Sequence, residues 1–329
     1  RAQFGFDQAY PLSELDLRLP GWLANQPCVH YSLGRDADWD RRVLGWIDAV
    51  RGQLRTGVSV PPSISDVALP IAEMRLFKDA HDLSRLRQAG QISAAAHVRA
   101  MQATRPGRRE YEIEAEFAHE FLRNRSKGFA YTPIIASGNN ANVLHYIENN
   151  QQCKAGDLIL LDVGAEYANY SSDMTRMVPV SGRFTDRQKA VYNAVLNVKN
   201  EATKMLVPGT LWKQYHVEVG KIMTSELLGL GLSDKADVQN ENPDWPAYKK
   251  YFMHGTSHHM GLDTHDYGLL HEPMQANMVF TVEPGIYIPK EGFGIRLEDD
   301  MVIQEKGAAF NLMRNIPIEI EEIEAIMKA

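Results

Sequence analysis

The chain states one pattern of elements twice, and few folds accommodate that. In the first copy a helix with an apolar stripe (Leu83, Leu86, Ala89, Ile92, Ala96) ends near Met101. It is followed by "RPG" (105–107) and a helix carrying Ile113, Phe117 and Phe121. In the second copy "TDRQKAVYNAVLNVKNEATKML" (185–206) is followed by "VPG" (207–209) and a helix running to about Leu228. Each helix pair leads, after an insert, to a hydrophobic strand: "DLILLDVG" (157–164) and "MVFTVEPG" (278–285). Both strands end in a carboxylate followed by x-Gly, Asp162 in one and Glu283 in the other. Each then turns into a return strand with a further carboxylate, Asp173 in "SSDMTRMV" and Glu298 in "GIRLEDDMV". A supersecondary unit repeated in this way predicts two half-domains related by a pseudo-twofold axis. Each would be an antiparallel hairpin covered by helices, in an α+β architecture.

The repeat accounts for residues 71–329. Residues 1–70 read differently, as part of an α/β unit. "PCVHYSL" (27–33) has strand character, and Trp39, Val43, Ile47, Val50 and Leu54 recur at helical spacing. "VPPSISD" (60–66) reads as a linker. Asp79 is the expected N-cap of the first helix of the repeat. The sequence begins "RAQFGFDQAYPL", with neither Met nor a signal-type apolar core. It is therefore expected to start inside a longer natural chain.

Composition narrows the partners. Hydrophobic residues make up 44% of the 329, enough for a sizeable core. The net charge of −7 is not concentrated in one tail, which argues against nucleic acid or an anionic membrane as partner. No apolar run approaches the roughly 18 residues that span a bilayer. Cys28 and Cys153 have no metal-ligand spacing; they could form one disulfide, but two free thiols are expected, which points to a reducing, cytoplasmic setting.

Two hairpins related by a twofold axis would bring Asp162, Asp173, Glu283 and Glu298 together at the centre of the sheet. A single carboxylate at a strand end is ordinarily a solvated turn residue. Four in matched positions at the ends of apolar strands need cations, because an unpaired buried charge costs several kcal/mol. Arg176 and Arg296 are available as two; divalent metal ions serve better, since carboxylates can bridge a pair of them. The stretch "HGTSHHMGLDTHD" (254–266) adds His254, His258, His259 and His265, four of the chain's eleven histidines. Read as a strand, it puts His254 and His258 on one face and His259 on the other.

These residues resemble the pita-bread metallopeptidases, and within them the aminopeptidase P (Xaa-Pro aminopeptidase) branch. The resemblance covers about residues 70–320 and rests on "LLDVGAEYANYSSDMTR", "HGTSHHMGLDTHD", "VEPGIYI" and "IRLEDD" in this order. Residues 1–70 resemble the end of that branch's N-terminal domain. The resemblance implies five ligands to a dinuclear centre: Asp173 and Glu298 bridging, Asp162 chelating one ion, and His258 and Glu283 on the other. It implies two divalent ions, Mn²⁺ foremost, with Co²⁺ or Zn²⁺ compatible. It places His145, His254 and His265 along the substrate pocket, Arg296 beside the ligands, and Tyr287 near the site. Glu283 would also move the proton. The expected reaction is hydrolysis of the bond between an N-terminal residue and a following proline, in a dimer or tetramer. Two alternatives are a prolidase, acting on dipeptides, and a non-catalytic binding protein on the same shell. "DYGLLHEPMQANMVFTV", between His265 and Glu283, lacks the arginine that relatives often carry there.

Overall fold

A computed structural model describes residues 5–328. The chain divides into two compact units, 1–74 and 75–329. In the first, α1 (Leu15–Leu23) precedes strand β1 (Val29–His30), and α2 (Ala37–Arg51) precedes β2 (Ile64–Ser65). Asp36 caps α2 by accepting from the Asp38 and Trp39 N–H groups. The two short strands pair in parallel, Val29 with Ile64 and His30 with Ser65. The stretch read from sequence as a linker thus contributes a strand. Pro61 and Pro62 cannot donate, but the carbonyls of Ser63 and Ser65 accept from Val29 and Tyr31. Val43, Trp46 and Ile47 pack with Leu15, Leu19, Leu23 and Ile64 as this unit's own core. A helix α3 (Ala68–Leu76) follows.

The second unit carries the repeat. Its first half opens with α4 (Ala80–Ala103), begun by a capping box in which Asp79 and Asp82 accept from each other's backbone N–H. Next comes α5 (Glu110–Arg123), then β3 (Gly128–Phe129), β4 (Ile134–Ser137), β5 (Leu158–Asp162), β6 (Ala165–Tyr167), β7 (Tyr170–Ser171) and β8 (Thr175–Pro179). The second half has α6 (Asp186–Lys204), capped by Thr185 and Gln188, and α7 (Trp212–Gly229). After the short α8 (Lys235–Gln239) come β9 (Val279–Val282), β10 (Gly285–Ile288), β11 (Phe293–Arg296), β12 (Asp299–Val302), β13 (Phe310–Asn311) and α9 (Ile320–Ile326).

Strand pairing reproduces the twofold logic. β5 lies between β4 and β8, and β12 between β9 and β13, all antiparallel. Each half also carries a side hairpin, β6–β7 or β10–β11. "LILLD" of β5 is buried on both faces, which explains a continuous apolar run where a surface strand would alternate. Ile92, Ala96, Met101, Phe117 and Phe121 of α4 and α5 and Val191 and Val195 of α6 close over the strands in one core.

Three local expectations need correction. The strand ending in Asp162 does not turn straight into its return strand; the β6–β7 hairpin intervenes. Gly164 makes that exit possible, since a Cβ there would overlap the Ser172 carbonyl oxygen. "GIRLEDDMV" is not one strand. It breaks at Leu297–Glu298, where the Leu297 N–H turns to the Pro284 carbonyl and the Glu298 N–H to the Thr175 carbonyl. Residues 254–259 do not form a regular strand either. Their carbonyls at Thr256 and His258 accept from Glu283 and Thr281, but pairing is limited to a bridge between His259 and Phe280.

Candidate metal centre

Asp162 ends β5 and Asp173 precedes β8. Glu283 follows β9, and Glu298 sits in the break between β11 and β12. The fold brings all four to one cavity of about 750 Å³, with His145, His254, His258, His265 and Arg296 in the same lining. Ala130, Ile134, Leu144 and Ile147 form an apolar wall beside them. One ligand atom from each of Asp173, His258 and Glu298 falls within 4.8 Å of the others. His258 Nε2 lies 3.4 Å from Asp173 Oδ2 and 3.6 Å from Glu283 Oε1.

The donor set fits divalent cations. The other nitrogen of His258, Nδ1, donates to the His259 carbonyl at 3.0 Å. In the neutral ring this turns the Nε2 lone pair toward two carboxylates, an arrangement that wants a cation between them. Glu298 accepts from the Thr175 hydroxyl through Oε2 at 2.7 Å, while its Oε1 is buried with no partner among the described residues. Such a buried orphan oxygen is costly unless a cation meets it.

Electrostatics tell the same story. Burial lowers the affinity of His258 for a proton, but the hydrogen bond and charge of Asp173 and the charge of Glu283 outweigh it and push the ring up to about 9. Burial pushes Glu283 up to about 7 against the pull of His258. Burial, joined by the charges of Asp173, Glu283 and Asp162, drives Glu298 well above the carboxylate range. Each of these shifts marks a group whose surroundings favour added positive charge, as those of a cation ligand do.

Arg296 lies on β11 and reaches across the pseudo-twofold axis. It is paired with Asp162 and donates to the Tyr287 hydroxyl at 2.8 Å. Tyr287 is 2.8 Å from His254 Nε2, and His254 Nδ1 is 2.8 Å from the Gly255 carbonyl. Because that carbonyl can only accept, Nδ1 carries the proton and Nε2 accepts from Tyr287. Both His254 nitrogens are thereby occupied within the protein. Burial first, and then the Arg296 charge, hold this ring down at about 3, so it stays neutral. His265 stands with its ring 4.2 Å from that of His258. His259 lies outside the cavity lining, 4.2 Å from the Phe280 ring and stacked on Trp212.

Arg176 does not serve the four carboxylates. It pairs with Asp299 at 2.6 Å, together with Lys199, while Asn311 donates to Asp299 at 2.9 Å. Although burial raises the Asp299 carboxyl, these two cations hold it below the usual range. Two further supports escaped the sequence reading. Tyr131 donates to Asp162 Oδ1 at 2.7 Å, and Thr175 links Glu298 to Arg296. Tyr131 lies in an irregular stretch with no periodic signal; Thr175 had only its place two residues after Asp173 to mark it. The insert 233–252 borders a separate hollow of about 220 Å³.

A duplicated α+β shell whose halves pool carboxylates and one imidazole around a buried cavity defines a metallopeptidase architecture. The chain belongs to metallopeptidase family M24, whose family model matches residues 84–305. It is 39% identical to the Xaa-Pro aminopeptidase of Escherichia coli K12, over 99% of this chain and 76% of the relative. It is 33% identical to human Xaa-Pro aminopeptidase 3, over 98% of this chain and 64% of the relative. The structure of Pseudomonas aeruginosa aminopeptidase PepP superimposes with a TM-score of 0.91 at 38% identity, covering 99% of this chain and 76% of that one. A variant of E. coli aminopeptidase P in complex with substrate gives 0.92 at 38% identity, with the same coverage. The fold is the pita-bread fold. No described helix is long and apolar enough to cross a membrane.

Proposed function

We propose that the chain is a metal-dependent Xaa-Pro aminopeptidase that hydrolyses the bond between an N-terminal residue and a following proline. The observation that carries this reading is the convergence of Asp173, His258 and Glu298 in a cavity shared with Asp162 and Glu283. Its support is the near-full-length similarity to Xaa-Pro aminopeptidases. Prolidase is not favoured by those relatives.

Asp162, Asp173, His258, Glu283 and Glu298 are the proposed ligands of two divalent ions. Mn²⁺ is the preferred metal because four carboxylates and one imidazole form a hard, oxygen-rich set. Bound there, such ions supply an activated water and polarise the scissile carbonyl. The chain's own residues do the rest. Glu283, lifted toward neutrality by burial, holds a proton and passes it to the leaving nitrogen. That nitrogen is proline's tertiary amide and has no N–H for recognition, so the apolar wall with Ile134 and Leu144 must recognise the ring by shape. His265 and His145 face the reacting carbonyl. Arg296 holds Asp162 in place and offsets its charge. The carboxylates also suit the substrate's free ammonium, which would confine cleavage to the first residue. A dimer or tetramer is the proposed assembly.

The test is hydrolysis of Xaa-Pro peptides of two to five residues by metal-stripped protein supplied in turn with Mn²⁺, Co²⁺ and Zn²⁺. Cleavage of tri- to pentapeptides is expected. Cleavage of Ala-Pro alone would mean a prolidase, and no cleavage with metal bound would mean a binding protein.

A further inference from the structure

The loop that delivers His265 is fixed by a residue far away in sequence. Among the described residues no side-chain hydrogen bond holds the His265 ring, so its position depends on the backbone around it. Two carboxylates of the same loop, Asp263 and Asp266, bracket Thr264 and His265. A single nitrogen of Arg75, Nη2, bonds both: 2.7 Å to Asp263 Oδ2 and 2.6 Å to Asp266 Oδ1. The two contacts differ in setting. The Asp263 side chain is 68% exposed, while that of Asp266 is 1% exposed. Asp266 Oδ1 also accepts from the Tyr267 N–H at 2.8 Å, and the Asp266 N–H donates to the His259 carbonyl at 2.9 Å. Its Oδ2 is buried with no hydrogen-bond partner among the described residues, in a space that a Cβ at Gly261 would fill. Near it lies the buried ammonium of Lys78, which Asp266 faces as the main opposite charge. The buried carboxylate is thus set between two cations from the segment before α4.

We propose that Arg75 is a positioning residue that acts through His265, tying the 263–266 loop so that this imidazole stands over the metal ligands. Arg75 is not itself in the cavity lining. A guanidinium suits the task, because the two hydrogens of Nη2 lie at fixed angles in its plane, one for each carboxylate, whereas those of an ammonium rotate freely. Misplacement of a reacting group by about 1 Å costs up to about 100-fold in rate, so a distant tie can matter to turnover.

This inference rests on the aminopeptidase reading, and the experiment separates the two. The probes are an Ala-Pro-Ala peptide with Mn²⁺-loaded full-length protein, and the His265 imidazole NMR signal, assigned by its loss in His265→Ala. Arg75→Ala should lower kcat about 10- to 100-fold with bound metal unchanged. It should also displace or broaden the His265 signal. In a His265→Ala background the same substitution should cost nothing further, because the two act as one unit. If the losses multiply, or the His265 signal stays in place, the proposal is overturned. If wild type does not cleave the peptide, the functional reading fails, while the imidazole signal still decides the role of Arg75. Should Arg75→Ala not fold, Arg75→Lys carries the same cycle. It keeps the charge but loses the two fixed hydrogens of Nη2, and wild-type kcat and signal in that variant would overturn the role assigned to the guanidinium.

Discussion

Asp162 and Glu283 occupy matching strand ends in the two halves, yet they are provided for differently. Asp162 receives a hydroxyl from Tyr131 and a guanidinium from Arg296. Glu283 receives neither; its nearest basic side chains are His258 at 3.6 Å and the neutral His254 at 3.9 Å. Both carboxyls are raised by burial, but only Asp162 has two dedicated donors to hold its charged form in one orientation. A duplicated unit therefore does not give duplicated chemistry. The strand pair fixes where an oxygen sits, and the donors brought from elsewhere decide whether that oxygen is locked as a ligand or left able to take a proton.

The sharpest way to break this comparison is Glu283→Gln. Turnover of an Xaa-Pro tripeptide should fall by about 10²- to 10⁴-fold, the usual worth of a general acid–base group. Wild-type kcat in that variant would sink the assigned role. A second test asks whether the shared carboxylates are waiting for a cation. In metal-free protein at pH 8, Glu298→Gln should unfold at the same or higher urea concentration than wild type. The reason is that Glu298 is raised by burial and by Asp173, Glu283 and Asp162, so its ionised form is penalised in the folded state. Added Mn²⁺ should then raise the wild-type midpoint but not the variant's. A variant that is weaker without metal would contradict the site as described.

The third test sharpens the Asp162 side. Tyr131→Phe removes one donor from Asp162 and should reduce kcat by roughly tenfold, since a hydrogen bond to a charged group is worth about 1.5–3 kcal/mol. An equal loss on removing the Glu283 neighbour His254 would blur the contrast. The fourth effect is the smallest and concerns what lies behind Asp162. His97 donates from Nε2 to the Val163 carbonyl at 3.0 Å, while its Nδ1 is buried without a partner among the described residues. Burial holds this ring down at about 3, against 6.5 when unfolded. The unfolded chain therefore takes up a proton below pH 6.5 that the folded chain refuses, and stability from His97 is lost as pH falls from 6.5 toward 3. The advantage of wild type over His97→Gln in urea should shrink between pH 8 and pH 5, by about 2 kcal/mol at most. An advantage that is constant with pH would place the proton elsewhere.

Much of this was legible in the sequence because it is local. The apolar runs ending at Asp162 and Glu283, the capping residues Asp79 and Thr185, and the x-Gly after each carboxylate are short-range signals. The reading failed where partners lie far apart. The break at Leu297–Glu298 exists because Thr175, more than a hundred residues earlier, supplies the carbonyl that captures the Glu298 N–H. Tyr131 carries no pattern of its own and is recognised only once β5 lies beside it. The segment 254–259 alternates like a strand, but its contacts to β9 are too few for a ladder. Arg176 was read as a counter-charge for the cavity; Asp299, next to Glu298 in sequence, claims it instead, because adjacent residues on an extended chain face opposite sides.

Gly164 carries a consequence for anyone who would redesign this enzyme. The carbonyl of Ser172 fills the space where its side chain would begin, so every other amino acid must push apart the two arms that carry Asp162 and Asp173. In a library randomised at this codon, survivors of an activity selection should return glycine almost alone. The exposed Ile147 on the cavity's rim should instead tolerate wide exchange, and engineering of peptide preference is best begun there.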